Sequence, residues 1–157
     1  MPYQEQQRRR PIYKLEVNMI DCLILGDSIA VGTHLQRYEC TSYSKGGINS
    51  WQWNKQYGQN DLTANTVIIS LGSNDHKGVK TQKELETMRA KIQGKRVFWI
   101  LPAGNLKASN VPIEAIQHIV REIAAKNGDV VLPITRLQPD GIHPSWAGYR
   151  ELADKTR

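Results

Sequence analysis

Cysteine is scarce in this chain. Two Cys among 157 residues are too few for the dense disulfide framework of a small secreted scaffold, and they lack the CxxC spacing of a zinc or redox site. One bridge between Cys22 and Cys40 stays open. With no export signal, however, the reducing cytoplasm is the expected compartment, and there both would remain thiols. Long hydrophobic runs are missing too. The apolar runs are strand-sized, as at Cys22 to Leu25 and Val67 to Ile69, so no membrane-spanning helix is expected. Arg8, Arg9 and Arg10 could pass for a basic leader, but Lys14, Glu16 and Asn18 break up the segment from Pro11 to Ile20, which leaves no apolar core for a secretory signal. No group of His, Cys, Asp and Glu has metal-ligand spacing. Gly26 to Gly32 carries neither the dinucleotide nor the P-loop glycine pattern, so neither a metal nor another cofactor is expected.

An excess of acid is also missing: the formal charge is +6, with a pI near 9.4. Residues 1 to 14 hold Arg8, Arg9, Arg10 and Lys14 against Glu5 and so carry +3 of that +6. The basic signal is half a property of the terminal segment, and nucleic acid is not expected as a partner. The length suits one domain, here residues 18–157 behind a basic extension, 1–17. Within that extension Ile12 to Val17 alternates apolar and polar side chains, which leaves open an edge strand or a segment lying across the sheet.

What is present is a regular alternation. Met19 to Leu25, Glu39 to Ser44, Thr66 to Leu71, Arg96 to Leu101 and Asp129 to Ile134 read as short strands. Helical patterns fall between and after them: Ile29 to Tyr38, Asn49 to Tyr57, Thr81 to Gln93 with Gly94 as its stop, Val111 to Lys126 with Pro112 in its first turn, and Pro144 to Ala153. Five rounds of strand and helix predict an α/β fold with a five-stranded parallel sheet covered on both faces.

In such a sheet ligands bind beyond the carboxyl ends of the strands, and reactive residue types gather at those ends. Ser28 follows the first strand through Gly26-Asp27 and stands at a helix N-terminus, where free N–H groups favour developing negative charge. Taken alone it reads as a helix cap. A serine hydroxyl becomes a nucleophile only when a base takes its proton. His143 is the candidate base, and Asp140, three residues earlier, can orient its imidazole; alone, Asp140-Gly141 reads as a turn. Asn74, after the third strand, can donate its amide to an oxyanion alongside the N–H groups of Ser28 and Gly47.

Gly26-Asp27-Ser28-Ile29, then Gly47, then Gly72-Ser73-Asn74-Asp75, then Asp140-Gly141-Ile142-His143-Pro144 resemble the ordered blocks of the SGNH hydrolases, or GDSL-like esterases, over about residues 20 to 153. The resemblance implies Ser28 as nucleophile, His143 as base, Asp140 as its partner, and Ser28, Gly47 and Asn74 as the oxyanion hole. It also implies a three-layer α/β/α sandwich, flavodoxin-like in outline, and metal-free ester hydrolysis through an acyl-enzyme. Ile29 stands where many members have Leu. Lys45-Gly46-Gly47 departs from the usual small-residue approach and makes Gly46 a second candidate donor.

Asp27 and Asp75 resemble family residues that brace these loops. Trp51, Trp53, His76 and Asn105 are the candidate substrate contacts, although packing of the tryptophans under a short helix explains them equally well. His34 and His118 read as surface residues. Lys45 and Lys77 suit an anionic substrate. With no lid in view, a short acyl group on a carbohydrate or peptidoglycan is the expected ester. A thioesterase or lysophospholipase, or a glycan-binding member without catalysis, are the alternatives. The resemblance extends to compact members encoded by phages.

Overall fold

The structure is a computed structural model and describes residues 19–157. The basic extension, with its candidate edge strand, lies outside the described residues. The elements are β1 (Ile20–Gly26), α1 (Ser28–Gln36), β2 (Thr41–Ser44), α2 (Ser50–Tyr57), β3 (Thr63–Ser70), α3 (Thr81–Lys91), β4 (Gln93–Ile100), α4 (Ile113–Asn127), β5 (Val130–Leu132) and α5 (Trp146–Lys155), with one 3₁₀ turn at Lys107–Ser109. All neighbouring strands pair in parallel, in the order β2-β1-β3-β4-β5.

The central strands are apolar without alternation because both of their faces are covered. Leu23, Leu25, Val67, Ile69, Val97 and Trp99 point to one side, where Trp53 of α2, Leu85 and Met88 of α3 and Val120 and Ile123 of α4 pack on them. Ile24, Ile68, Phe98 and Ile100 point to the other side, against Ile29 and Ala30 of α1 and Leu152 of α5. The result is the expected α/β/α sandwich. The order in which strands are added reverses between β1 and β3, the switch point at whose carboxyl ends sheets of this kind bind ligands.

Several boundaries differ from the sequence reading, each for a local reason. Gly94 does not stop α3. The helix ends at Lys91, Ile92 turns to extended backbone, and Gly94 lies inside β4 opposite Ala64, where a Cβ would stand 3.1 Å from Val67 Cγ2. Pro112 is the residue that caps α4 instead of part of its first turn, and Ser145, accepting from the Gly148 N–H, starts α5 at Trp146.

Cys22 and Cys40 form a disulfide, contrary to the free thiols expected of a reducing compartment. The cause is register. Leu23 of β1 pairs with Thr41 of β2, so the preceding residues, Cys22 and Cys40, face each other with Cα atoms 4.9 Å apart, well inside bonding range.

Candidate active site

Ser28 sits at the first position of α1, delivered there by a sharp exit from β1. Gly26 has φ +143°, and a Cβ on it would stand 1.7 Å from the Ser70 carbonyl oxygen; only glycine lets the two backbones come this close. The next residue, Asp27, donates its N–H to the same carbonyl at 2.9 Å and caps α1 by accepting from the Ile29 N–H at 3.0 Å. Its Oδ1 also accepts from Ser70 Oγ at 3.3 Å, while Oδ2 is buried without a partner among the described residues. Burial pushes the Asp27 carboxyl up to about 7, against the lowering effect of these hydrogen bonds.

His143 arrives from the loop between β5 and α5. That loop is held by the Gln138 N–H on the His143 carbonyl at 2.8 Å and by the Gln138 side-chain amide on the Pro144 carbonyl at 3.0 Å. Asp140 Oδ1 accepts the N–H groups of Ile142 and His143 at 2.9 and 3.0 Å, and its Oδ2 meets His143 Nδ1 at 2.7 Å. The hydrogen bond from His143, followed by those two N–H groups, brings the Asp140 carboxyl down to about 2. A carboxylate only accepts, so Nδ1 carries the proton and, in the neutral ring, Nε2 is left as the acceptor. Nε2 faces Ser28 Oγ at 2.8 Å. Serine, imidazole and carboxylate thus form one chain of hydrogen bonds able to withdraw the hydroxyl proton.

The candidate oxyanion donors other than Ser28 lie on two further loops. Asn74 follows β3 and gives one hydrogen of Nδ2 to the Ile48 carbonyl at 3.1 Å, which leaves its second hydrogen available. Lys45 ties the Gly46-Gly47 turn to the end of β1 through its N–H on the Gly26 carbonyl at 3.0 Å. The turn needs φ +79° at Gly47, and an added Cβ on Gly46 would lie 3.9 Å from Ser28 Cβ. Asp75 fixes the same region. It accepts from the Ser50 N–H at 2.9 Å, Ser50 Oγ at 2.6 Å and Thr81 Oγ1 at 2.7 Å, and so joins the starts of α2 and α3 under the site; burial raises its pKa.

The candidate substrate contacts separate. Trp51 is exposed, with the Lys55 ammonium 5.0 Å from its ring centroid, and His76 is exposed on the loop after Asp75. Trp53 is not a cleft residue: its side chain is fully buried and its indole N–H donates to the Tyr43 carbonyl at 2.9 Å. Trp51 and Trp53, two apart on a helix, point in different directions, and the inner one packs α2 onto the sheet. The Asn105 amide donates to the Val111 carbonyl within its own loop. His34 is half-buried, its Nε2–H donating to the Cys40 carbonyl at 2.9 Å, and His118 is exposed beside Glu122.

Two residues near the site carried no sequence signal. Gly104, after β4, touches the catalytic loop: a Cβ there would lie 2.6 Å from the Gly141 carbonyl oxygen. Tyr149 of α5 has its phenol pushed up to about 12 by burial and by the carboxyls of Asp27 and Asp140. Among the described residues one group has metal-ligand spacing, Cys22, Glu39 and Cys40, and its two sulfurs are bonded to each other.

The model of the GDSL-like lipase/acylhydrolase family matches residues 24–151. No curated protein matches the sequence significantly. Solved structures with the same fold include a Bacteroides fragilis protein assigned to the acylhydrolases, with 18% identity, a TM-score of 0.66 and coverage of 94% of this chain and 91% of that one. The C-terminal catalytic domain of Streptococcus pneumoniae peptidoglycan O-acetyltransferase A has 17% identity and a TM-score of 0.62, over 87% of this chain and 89% of that one. A G-D-S-L family protein from Desulfitobacterium hafniense has 16% identity and a TM-score of 0.60, over 85% and 95%. With the family match spanning most of its length, the chain belongs to the GDSL-like lipase/acylhydrolases and is an ester-hydrolysing enzyme.

Proposed function

We propose that the protein removes a short acyl group, acetyl in the first instance, from a carbohydrate hydroxyl. The observation that carries this reading is the hydrogen-bonded chain from Ser28 Oγ through His143 to Asp140, 2.8 and 2.7 Å long. Ser28 Oγ attacks the ester carbonyl as His143 Nε2 takes its proton, and Asp140 stabilises the resulting imidazolium. The oxyanion is received by the Asn74 amide and the N–H groups of Ser28 and Gly47. Collapse expels the sugar alkoxide, which takes the proton from His143 and leaves Ser28 acylated. Water, deprotonated by His143, then attacks the acyl-enzyme and releases the acid and free Ser28.

The short acyl group is supported by what lines the surface beside the Gly46-Gly47 turn. Beside Gly46 and Gly47 lies a cavity of about 230 Å³ whose lining includes Lys45, Gln52 and Gln56, polar side chains that suit an acetyl group or a sugar better than an alkyl chain. Ser28→Ala is expected to abolish p-nitrophenyl acetate hydrolysis while leaving the circular dichroism spectrum unchanged. Asn74→Ala should lower kcat by about 10² to 10³, the usual effect of losing one oxyanion donor. A panel of p-nitrophenyl esters of rising chain length should show activity falling from acetate to octanoate; a maximum at octanoate would instead favour the lipase or thioesterase reading.

A further inference from the structure

We infer that the alcohol side of the substrate is an anionic oligosaccharide, held in a basic trough that runs from Gly47 over Gln52 to Lys83. This rests on the ester-hydrolase reading for its orientation, since the trough begins at the Gly46-Gly47 turn that the reading assigns to the oxyanion hole.

Its near end is the cavity lined by Lys45, Gly46 and Gly47, with Gln52 on its far wall. Gln52 is also on the wall of a second cavity of about 450 Å³, which Trp51, His76, Lys80 and Lys83 line as well. The shared residue makes the two cavities neighbours on one surface. The charge of this surface is unbalanced. Lys45, Lys80 and Lys83 are exposed, and among the described residues none of them stands within ion-pair distance of a carboxylate, whereas Lys126 and Lys155 elsewhere are paired with Glu86 and Glu151. One acid shares the wall, Glu84, whose Oε1 accepts from the Asn54 amide at 2.8 Å; against it the three lysines leave a net positive surface. Lysine ammonium groups left in this way are point charges for carboxylates. Trp51 supplies what a plain basic patch lacks. Its indole lines the larger cavity and is 49% exposed, an apolar face beside polar side chains that suits the C–H face of a sugar ring. Carboxylate-binding lysines spaced around an aromatic platform define an acidic glycan, such as one rich in uronic acids.

The test is calorimetric titration of the whole protein with tetragalacturonate, xylotetraose and a single-stranded oligonucleotide. None of these carries an ester, so binding is read apart from catalysis. Tetragalacturonate should bind at least 10-fold more tightly than xylotetraose at low salt, and 0.5 M NaCl should remove most of that advantage. The double variant Lys80→Gln/Lys83→Gln should lose about 10-fold for the acidic ligand and nothing for the neutral one, while Trp51→Ala should weaken both. Equal binding of acidic and neutral ligands, no binding of either, an unaltered lysine double variant, or a preference for the oligonucleotide would each overturn the inference. The ester-hydrolase reading is judged separately, by p-nitrophenyl acetate turnover. Turnover without discrimination between the tetrasaccharides defeats the trough alone, and discrimination without turnover defeats the hydrolase reading alone.

Discussion

Asp27 separates what one residue's neighbours dictate from what its burial does. Next to Ser28 in sequence, it could be read as a loop brace, and the structure places it as the cap of α1 bonded to Ile29 and Ser70. Its raised pKa, about 7 against an ordinary 3.8, could not be read from sequence, because it follows from enclosure by β3, α1 and α5. Proton linkage sets the sign of the effect. Between about pH 4 and 7 the native state holds a proton that the unfolded chain releases, so this group makes stability fall as pH rises through that window. Asp27→Asn keeps the cap and removes the titration. The variant should flatten the fall in melting temperature from pH 4 to 8, by up to about 4 kcal/mol of stability across the window. Asp75, raised in the same direction by burial, adds a slope of the same sign. Asp140 and Glu151, both brought down to about 2, act oppositely: what they contribute is present above the ordinary carboxylate range and is lost as pH falls toward 2. An unchanged slope in Asp27→Asn would show that its carboxyl is not the titrating group.

At the scale of elements, the strands and helices were legible because buried parallel strands and amphipathic helices leave different periods in the sequence. Loop contacts leave none. Gly26 closes β1, and Asn74 and His143 fall in the loops after β3 and β5, as local patterns in the sequence suggest, but Gly94 is no helix stop, because a glycine needed for close strand packing looks the same as one that ends a helix. Trp51 and Trp53 show the same limit, two identical residues whose roles differ by the turn of one short helix. Gly104 belongs to this scale as well. It lets the loop after β4 approach the Gly141 carbonyl closely, between Asp140 and His143 in the chain. Gly104→Ala, on a half-buried loop and with its Cβ 2.6 Å from a backbone carbonyl oxygen, should cost about 1–3 kcal/mol in thermal unfolding. It should nonetheless lower kcat for p-nitrophenyl acetate by about 10-fold or more through displacement of His143 from Ser28. A variant with full kcat would mean that the two loops are not coupled.

For the whole molecule, the sheet order brings together residues separated by more than a hundred positions: Ser28 at the end of β1, Asn74 at the end of β3 and His143 beyond β5. No local motif encodes that meeting; it follows from five parallel strands ending on one side. The same registration explains the disulfide, which composition alone argued against. Cys22 and Cys40 become partners only once β1 and β2 are aligned. Closing a loop of sequence separation 18 should stabilise the fold by about 3 kcal/mol. Protein purified without reductant should therefore carry no thiol reactive with Ellman's reagent after unfolding, and Cys22→Ser/Cys40→Ser should melt several degrees lower. Two reactive thiols in the unreduced protein would contradict the pairing.

The central claim, that Ser28 is the nucleophile of an acyl-enzyme, meets its most direct test in intact-mass analysis after treatment with a fluorophosphonate probe. The wild type should gain one probe mass per chain, peptide mapping should place it on Ser28, and Ser28→Ala should gain none; an unmodified wild type, or an adduct that survives in Ser28→Ala, would contradict it.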